Sequence, residues 1–169
     1  EDLPKGYERI YSVIEDRKGR LWIGTDGAGL LRRDPGGNFR AFLRNPRDRG
    51  SLSSDVVWAL HEDHAGRIWV GTEGGGLDRW DPASDSFEHY TYREDDPTSL
   101  LGSSVRTVEE SADGRLWVGT WDGGLSRLDP ATGRFERFPL LADSTVNALL
   151  EDSRGRLWVG TGSAGLALL

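Results

Sequence analysis

Among the 169 residues there is no cysteine and no methionine. Without cysteine the chain has no disulfide, no thiolate nucleophile and no Cys-based zinc site. An excess of positive charge is also lacking: the net charge is −7, which argues against a nucleic-acid backbone or an anionic membrane as the main partner. The acidity is spread along the chain, as on a solvated surface, rather than gathered in a tail. No apolar run approaches the roughly 20 residues of a membrane span, so no membrane insertion is expected. No signal-peptide pattern opens the chain, and Glu1 suggests a processed, truncated or engineered start. Helical periodicity is missing as well, which leaves an all-β chain.

What is present is repetition. One unit occurs four times, anchored on Leu21-Trp22-Ile23-Gly24-Thr25, Ile68-Trp69-Val70-Gly71-Thr72, Leu116-Trp117-Val118-Gly119-Thr120 and Leu157-Trp158-Val159-Gly160-Thr161. The tryptophans stand 47, 48 and 41 residues apart. A glycine lies three residues before each of them (Gly19, Gly66, Gly114, Gly155), and a leucine eight residues after (Leu30, Leu77, Leu125, Leu166). Fixed offsets inside the unit, with variable length between units, mark a rigid core with insertions confined to a connecting loop. The repeats run over about 10–54, 55–104, 105–145 and 146–169, and together span the one domain, 1–169.

Each unit reads as four strands. The first begins at Ile10, Val57, Val105 or Val146 and ends in an Asp/Gly turn, such as Asp16-Arg17-Lys18-Gly19, where glycine supplies the positive φ. The second is the Trp anchor. The third runs from Gly-Leu to Asp34-Pro35, Asp81-Pro82 or Asp129-Pro130, proline being suited to a strand end. The fourth is Phe-x-x-[Phe/Tyr], at Phe39, Phe87 and Phe135. A four-stranded antiparallel unit of about 40–50 residues with a Trp/Gly signature has the size of a β-propeller blade. Trp22, Trp69, Trp117 and Trp158 are then wedges between blades, and Gly24, Gly71, Gly119 and Gly160 permit close backbone approach.

The pattern Val-x-x-[Leu/Val]-x-Glu-Asp-x-x-Gly-Arg-Leu-Trp-Val-Gly-Thr-x-x-x-Gly-Leu-x-Arg-x-Asp-Pro resembles the two-component regulator propeller repeat, over essentially the whole chain. The resemblance implies the sensor propeller of a bacterial hybrid histidine kinase: extracytoplasmic (periplasmic), non-catalytic, and sensing a ligand, often a carbohydrate fragment. Such propellers usually have seven blades, whereas this sequence has four repeats. The fourth stops at Leu169 without its outer strand, and Glu1 to Arg9 is the one short segment that could complete it. Two closures are open: a four-bladed monomer at about 90° per blade, or two chains forming an eight-bladed ring at about 45°. Seven-bladed units are shaped for about 51°, so the expectation is a homodimer that self-assembles through blade packing.

Function must then lie where the copies differ. One such position is the second residue of each first strand: Tyr11, Trp58, Arg106 and Asn147. Another follows each Gly-Thr: Asp26, Glu73 and Trp121, with Gly162 in the fourth copy. Aromatic faces with Arg, Asn and carboxylates suit sugars or peptides. The alternative function is a propeller fragment or engineered array with a purely structural, self-assembling role. Less favoured is a lyase or lactonase, since His61 and His64 sit at a strand end where their rings need not converge, and the third histidine, His89, lies on an outer strand. No metal site or cofactor is expected. The acidic pairs Glu15-Asp16, Glu62-Asp63, Glu109-Glu110 and Glu151-Asp152 recur at one blade position and read as turn and edge residues.

Overall fold

The computed structural model describes residues 9–138 and 144–169, and holds fifteen strands and no helix among them. The turns set this pattern. At Gly19 and Gly66, with φ of 71° and 77°, the backbone is left-handed, which glycine adopts without steric cost. The four sheets are antiparallel meanders. The first is β1 (Ile10–Glu15), β2 (Leu21–Thr25), β3 (Leu30–Arg33) and β4 (Phe39–Phe42). The second is β5 (Val57–Glu62), β6 (Ile68–Thr72), β7 (Gly76–Asp81) and β8 (Ser86–Tyr90). The third is β9 (Val105–Glu110), β10 (Leu116–Thr120), β11 (Gly124–Asp129) and β12 (Arg134–Phe138). The fourth has three strands, β13 (Val146–Glu151), β14 (Leu157–Thr161) and β15 (Leu166–Leu168). The expected completion of this last blade by Glu1 to Arg9 falls, but for Arg9, outside the described residues.

The core lies between the sheets. Innermost strands pack in series, β1 on β5, β5 on β9 and β9 on β13, and three apolar clusters fill the three gaps. Trp22 joins Leu52 of the connecting loop and Val57 and Trp80 of the second blade. Trp69 joins Leu100 of the next connecting loop and Val105 and Phe135 of the third, and Trp117 joins Val146, Leu157 and Val159 of the fourth. The Trp22 and Trp80 rings meet edge-on at 4.8 Å, a favoured aromatic geometry. Each fully buried Leu or Val contributes about 1.5–3 kcal/mol over leaving it exposed. The glycine two residues after each Trp makes this approach possible. A Cβ on Gly24 would stand 2.7 Å from Val57 Cγ1, one on Gly71 2.7 Å from Val105 Cγ1, and Gly119 faces Val146 in the same way.

The acidic pairs divide into two tasks. Asp16 accepts four hydrogen bonds, from the backbone N–H groups of Lys18 and Arg20 and from the side chains of Arg20 and Trp22. Asp63 and Asp152 repeat the set, with Trp69 and Trp158 as the indole donors. Burial raises the Asp16 and Asp63 carboxyls, but the indole, arginine and backbone donors outweigh it and hold both below the usual value. In the second to fourth blades a Glu reaches the preceding blade: Glu62 accepts from Arg17 N, Glu110 from His64 N and Glu151 from Ala112 N. In the third blade the two tasks fall one residue later than the pair Glu109-Glu110 suggests. The turn position there is Ser111, which gives its backbone N–H to Arg115 O as Asp16 does to Arg20 O, and Glu110 is the inter-blade residue.

Candidate functional site

A bulge in every innermost strand builds the site. Pairing of β1 with β2 steps from Ile10↔Thr25 to Ser12↔Gly24, leaving Tyr11 unpaired. The same step skips Trp58 in β5, Arg106 in β9 and Asn147 in β13. An extra residue in one strand kinks it and re-aims the side chain, which is why bulges gather at sheet rims and sites. Here the four bulged residues, one from each blade, line a single cavity of about 310 Å³.

The residues that follow the Gly-Thr anchors stand around it. The Arg106 guanidinium lies over two rings, 5.3 Å from Trp58 and 4.8 Å from Trp121, and the two rings are 6.2 Å apart with 52° between their planes. Cation–π attraction holds Arg106 in place and leaves its N–H edges for a ligand. Thr145 fixes the Trp121 segment by donating its hydroxyl to Trp121 O at 2.9 Å. On the other side, desolvation and the negative charge of the Asp26 carboxylate push the Tyr11 hydroxyl above its ordinary pKa, with Glu73 adding to the effect. Tyr11 and Trp121 are each half exposed, at 50% and 51%, so aromatic faces remain open to a solute. Tyr11, Trp58, Arg106 and Asn147 therefore meet in one cavity, Trp121 borders it through Arg106, and Asp26 and Glu73 act on its Tyr11 side.

One member went unread in the sequence. Arg9 donates to Asp26 Oδ2 at 3.2 Å, fixing that carboxylate beside Tyr11. It precedes the first inner-strand residue, where the other copies carry Val56, Ser104 and Thr145. The same comparison moved back one residue would have found it.

The histidines lie elsewhere. His61 and His64 each approach Glu110, on different oxygens: the His61 ring nitrogen is 3.9 Å from it and His64 Nδ1 is hydrogen-bonded to it. Among the described residues no cluster of three or more His, Asp or Glu has the geometry to hold a metal ion. His89 bonds Asp78 on one side and Arg49 O on the other, 2.7 and 2.9 Å away.

The family model of the two component regulator propeller matches residues 5–27, 51–74, 99–122 and 140–163, more than half of the chain. No curated protein matches. Among solved structures, the extracellular domain assigned to a hybrid two component system of B. thetaiotaomicron superposes with a TM-score of 0.87 at 27% identity, over 100% of this chain and 25% of that one. A second B. thetaiotaomicron extracellular domain, assigned to a one component system, gives 0.53 at 23% identity, over 95% of this chain and 28% of that one. Virginiamycin B lyase from Staphylococcus aureus gives 0.72 at 16% identity, over 99% of this chain and 57% of the lyase. The last two likenesses, below 25% identity, are likenesses of fold. The chain spans about a quarter of the length of the first domain.

Proposed function

The chain belongs to the two component regulator propeller family, and from that premise we propose that it is a non-catalytic, extracytoplasmic sensor module that binds a carbohydrate at the cavity of Tyr11, Trp58, Arg106 and Asn147. One observation carries the reading: the half-exposed aromatic faces of Trp121 and Tyr11 accompany a guanidinium that lies over the Trp58 and Trp121 rings. The apolar C–H face of a pyranose stacks on an indole, while Arg106, Asn147 and Asp26 supply the directional bonds that orient hydroxyls. The family relationship and the likeness to a two-component extracellular domain support the sensor role and the location. The family relationship supports the non-catalytic reading.

Titrating the chain with neutral and uronic oligosaccharides, read by tryptophan fluorescence and calorimetry, tests this. A bound sugar should perturb the Trp58–Trp121 emission. Trp121→Ala and Arg106→Ala should each weaken binding by about ten- to a hundredfold, on the order of what one stacking or charge-assisted interaction is worth. Saturable binding of peptides but not sugars, or binding that survives both substitutions, would overturn the assignment.

A further inference from the structure

We infer that the loop leading into the second blade holds a binding site for a guanidinium cation, distinct from the Tyr11–Asn147 cavity. The loop leading into the third blade shows what such a loop takes. There the Arg137 guanidinium comes from the outer strand and fills a cradle of loop oxygens. Its Nε donates to Ser99 O at 3.0 Å. Its Nη2 donates to Arg93 O, Asp96 O, Leu100 O and Ser99 Oγ, at 3.0, 2.8, 3.2 and 2.7 Å. Such charge-assisted bonds are what a cation needs when it leaves water.

The preceding loop builds the same cradle. Asn45, Asp48, Ser51 and Leu52 stand where Arg93, Asp96, Ser99 and Leu100 stand, each 48 positions earlier. Ser51 folds this loop as Ser99 folds the other. Its Oγ accepts from Asn45 N at 2.9 Å and lies 3.1 and 2.8 Å from Asn45 O and Asp48 O. The same three distances at Ser99 are 2.9, 3.0 and 2.8 Å. The cradle is therefore formed in both loops, and the bonds of its serine do not depend on the guanidinium.

What differs is the side chain offered by the outer strand. Register sets His89 opposite Asp78 as it sets Arg137 opposite Ser126. His89 is shorter, and its two ring nitrogens bond Asp78 and Arg49 O. It reaches none of the four cradle carbonyls, and among the described residues Ser51 is the one side chain that does. A cavity of about 390 Å³ remains, lined by Asn45, Asp48, Ser51, Leu52 and His89 among others. Arg44 and Arg49 border it too, but both are exposed and neither guanidinium donates to the cradle. A ring of carbonyls suits the planar, many-donor fork of a guanidinium better than the point charge of an ammonium.

Amide NMR of the full chain tests this. Methylguanidinium represents a free small guanidine, and acetyl-arginine amide represents an arginine side chain of a protein. At least one should bind saturably in the millimolar range, and the tighter of the two names the source. The amide signals of the loop from Asn45 to Ser53 and of His89 should move, while those of the loop held by Arg137 stay in place. Acetyl-lysine amide should bind about tenfold more weakly. In His89→Arg the introduced guanidinium competes from within the chain at high effective concentration, so affinity should drop by about tenfold or more. The proposal is overturned if neither guanidine shifts this loop saturably or if the lysine analogue binds as well. It is equally overturned if a folded His89→Arg binds as the native chain does; if that variant does not fold, the titrations of the native chain decide.

Discussion

Ser111 stands where Asp16, Asp63 and Asp152 stand in the other blades, and its effect is local and specific. The turn backbone is the same, yet the Ser111 hydroxyl and the Trp117 indole N–H are both buried without a partner. The serine oxygen is too short to reach an indole that aspartate bonds in every other copy. An unmade buried bond costs about 1–3 kcal/mol. Ser111→Asp should therefore stabilise the chain by about 1–2 kcal/mol and raise the melting temperature by roughly 2–6 °C, read by calorimetry. The three aspartates that are present have lowered pKa values. Their contribution is complete above about pH 4, the unfolded value, and is lost as pH falls through the folded values. Acid titration should show a melting temperature that declines only below about pH 4. In Asp63→Asn that decline should be shallower, from a lower plateau. The role of these residues as turn caps was readable from their recurrence. The defect at Ser111 was not, because only the geometry shows which indole is left over.

At the scale of the element, the connecting loops are held by the outer strands, and each blade does it differently. In the third blade Arg137 donates to the carbonyls of Arg93, Asp96, Ser99 and Leu100. In the second, the matching residue is His89, clamped between buried Asp78 and Arg49 O, while Asp78 also accepts from Ser53 N. The first blade carries Leu31 and Ala41 at these positions, with no polar clamp. Both His89 ring nitrogens face acceptors, so the pair retains one proton. The bond to Asp78 raises His89, and burial raises Asp78. A raised His89 gives stability that is complete below its unfolded value of about 6.5 and is lost as pH rises through the folded value. Melting temperatures should thus fall as pH rises above about 6.5 in the native chain, and not show this fall in His89→Gln. His89→Ala should cost about 2 kcal/mol at neutral pH, because Asp78 is left buried with a single donor. Sequence placed His89 on an outer strand, as observed, but a two-residue contact across β7 and β8 with a loop 40 positions earlier has no periodic signature.

For the whole molecule, the joint between blades is the unit of stability, and glycine is its hinge point. Gly119→Val should force Val146 out of its seat and undo the packing of the fourth blade, costing about 3 kcal/mol or more. Gly160→Val should leave the chain's own fold intact. Chemical denaturation of the two variants side by side separates these outcomes. The contrast exists only because of position along the array: the two glycines share the same local sequence, Trp-Val-Gly-Thr.

That contrast also marks how far the sequence reaches. Blade number, strand order, the Trp and Gly anchors and the short fourth blade follow from a repeat whose offsets are constant, because each blade folds through contacts between near neighbours in the chain. The variable positions were visible for the same reason, as departures from a constant frame. Their convergence into one cavity depends on a bulge in each inner strand and on the way four blades are stacked, and neither is encoded by any local pattern. Tertiary structure alone decided that Arg106 lies over two neighbouring indoles, that Arg9 secures Asp26, and that Ile10 and Gly160 are left without the neighbours their counterparts have.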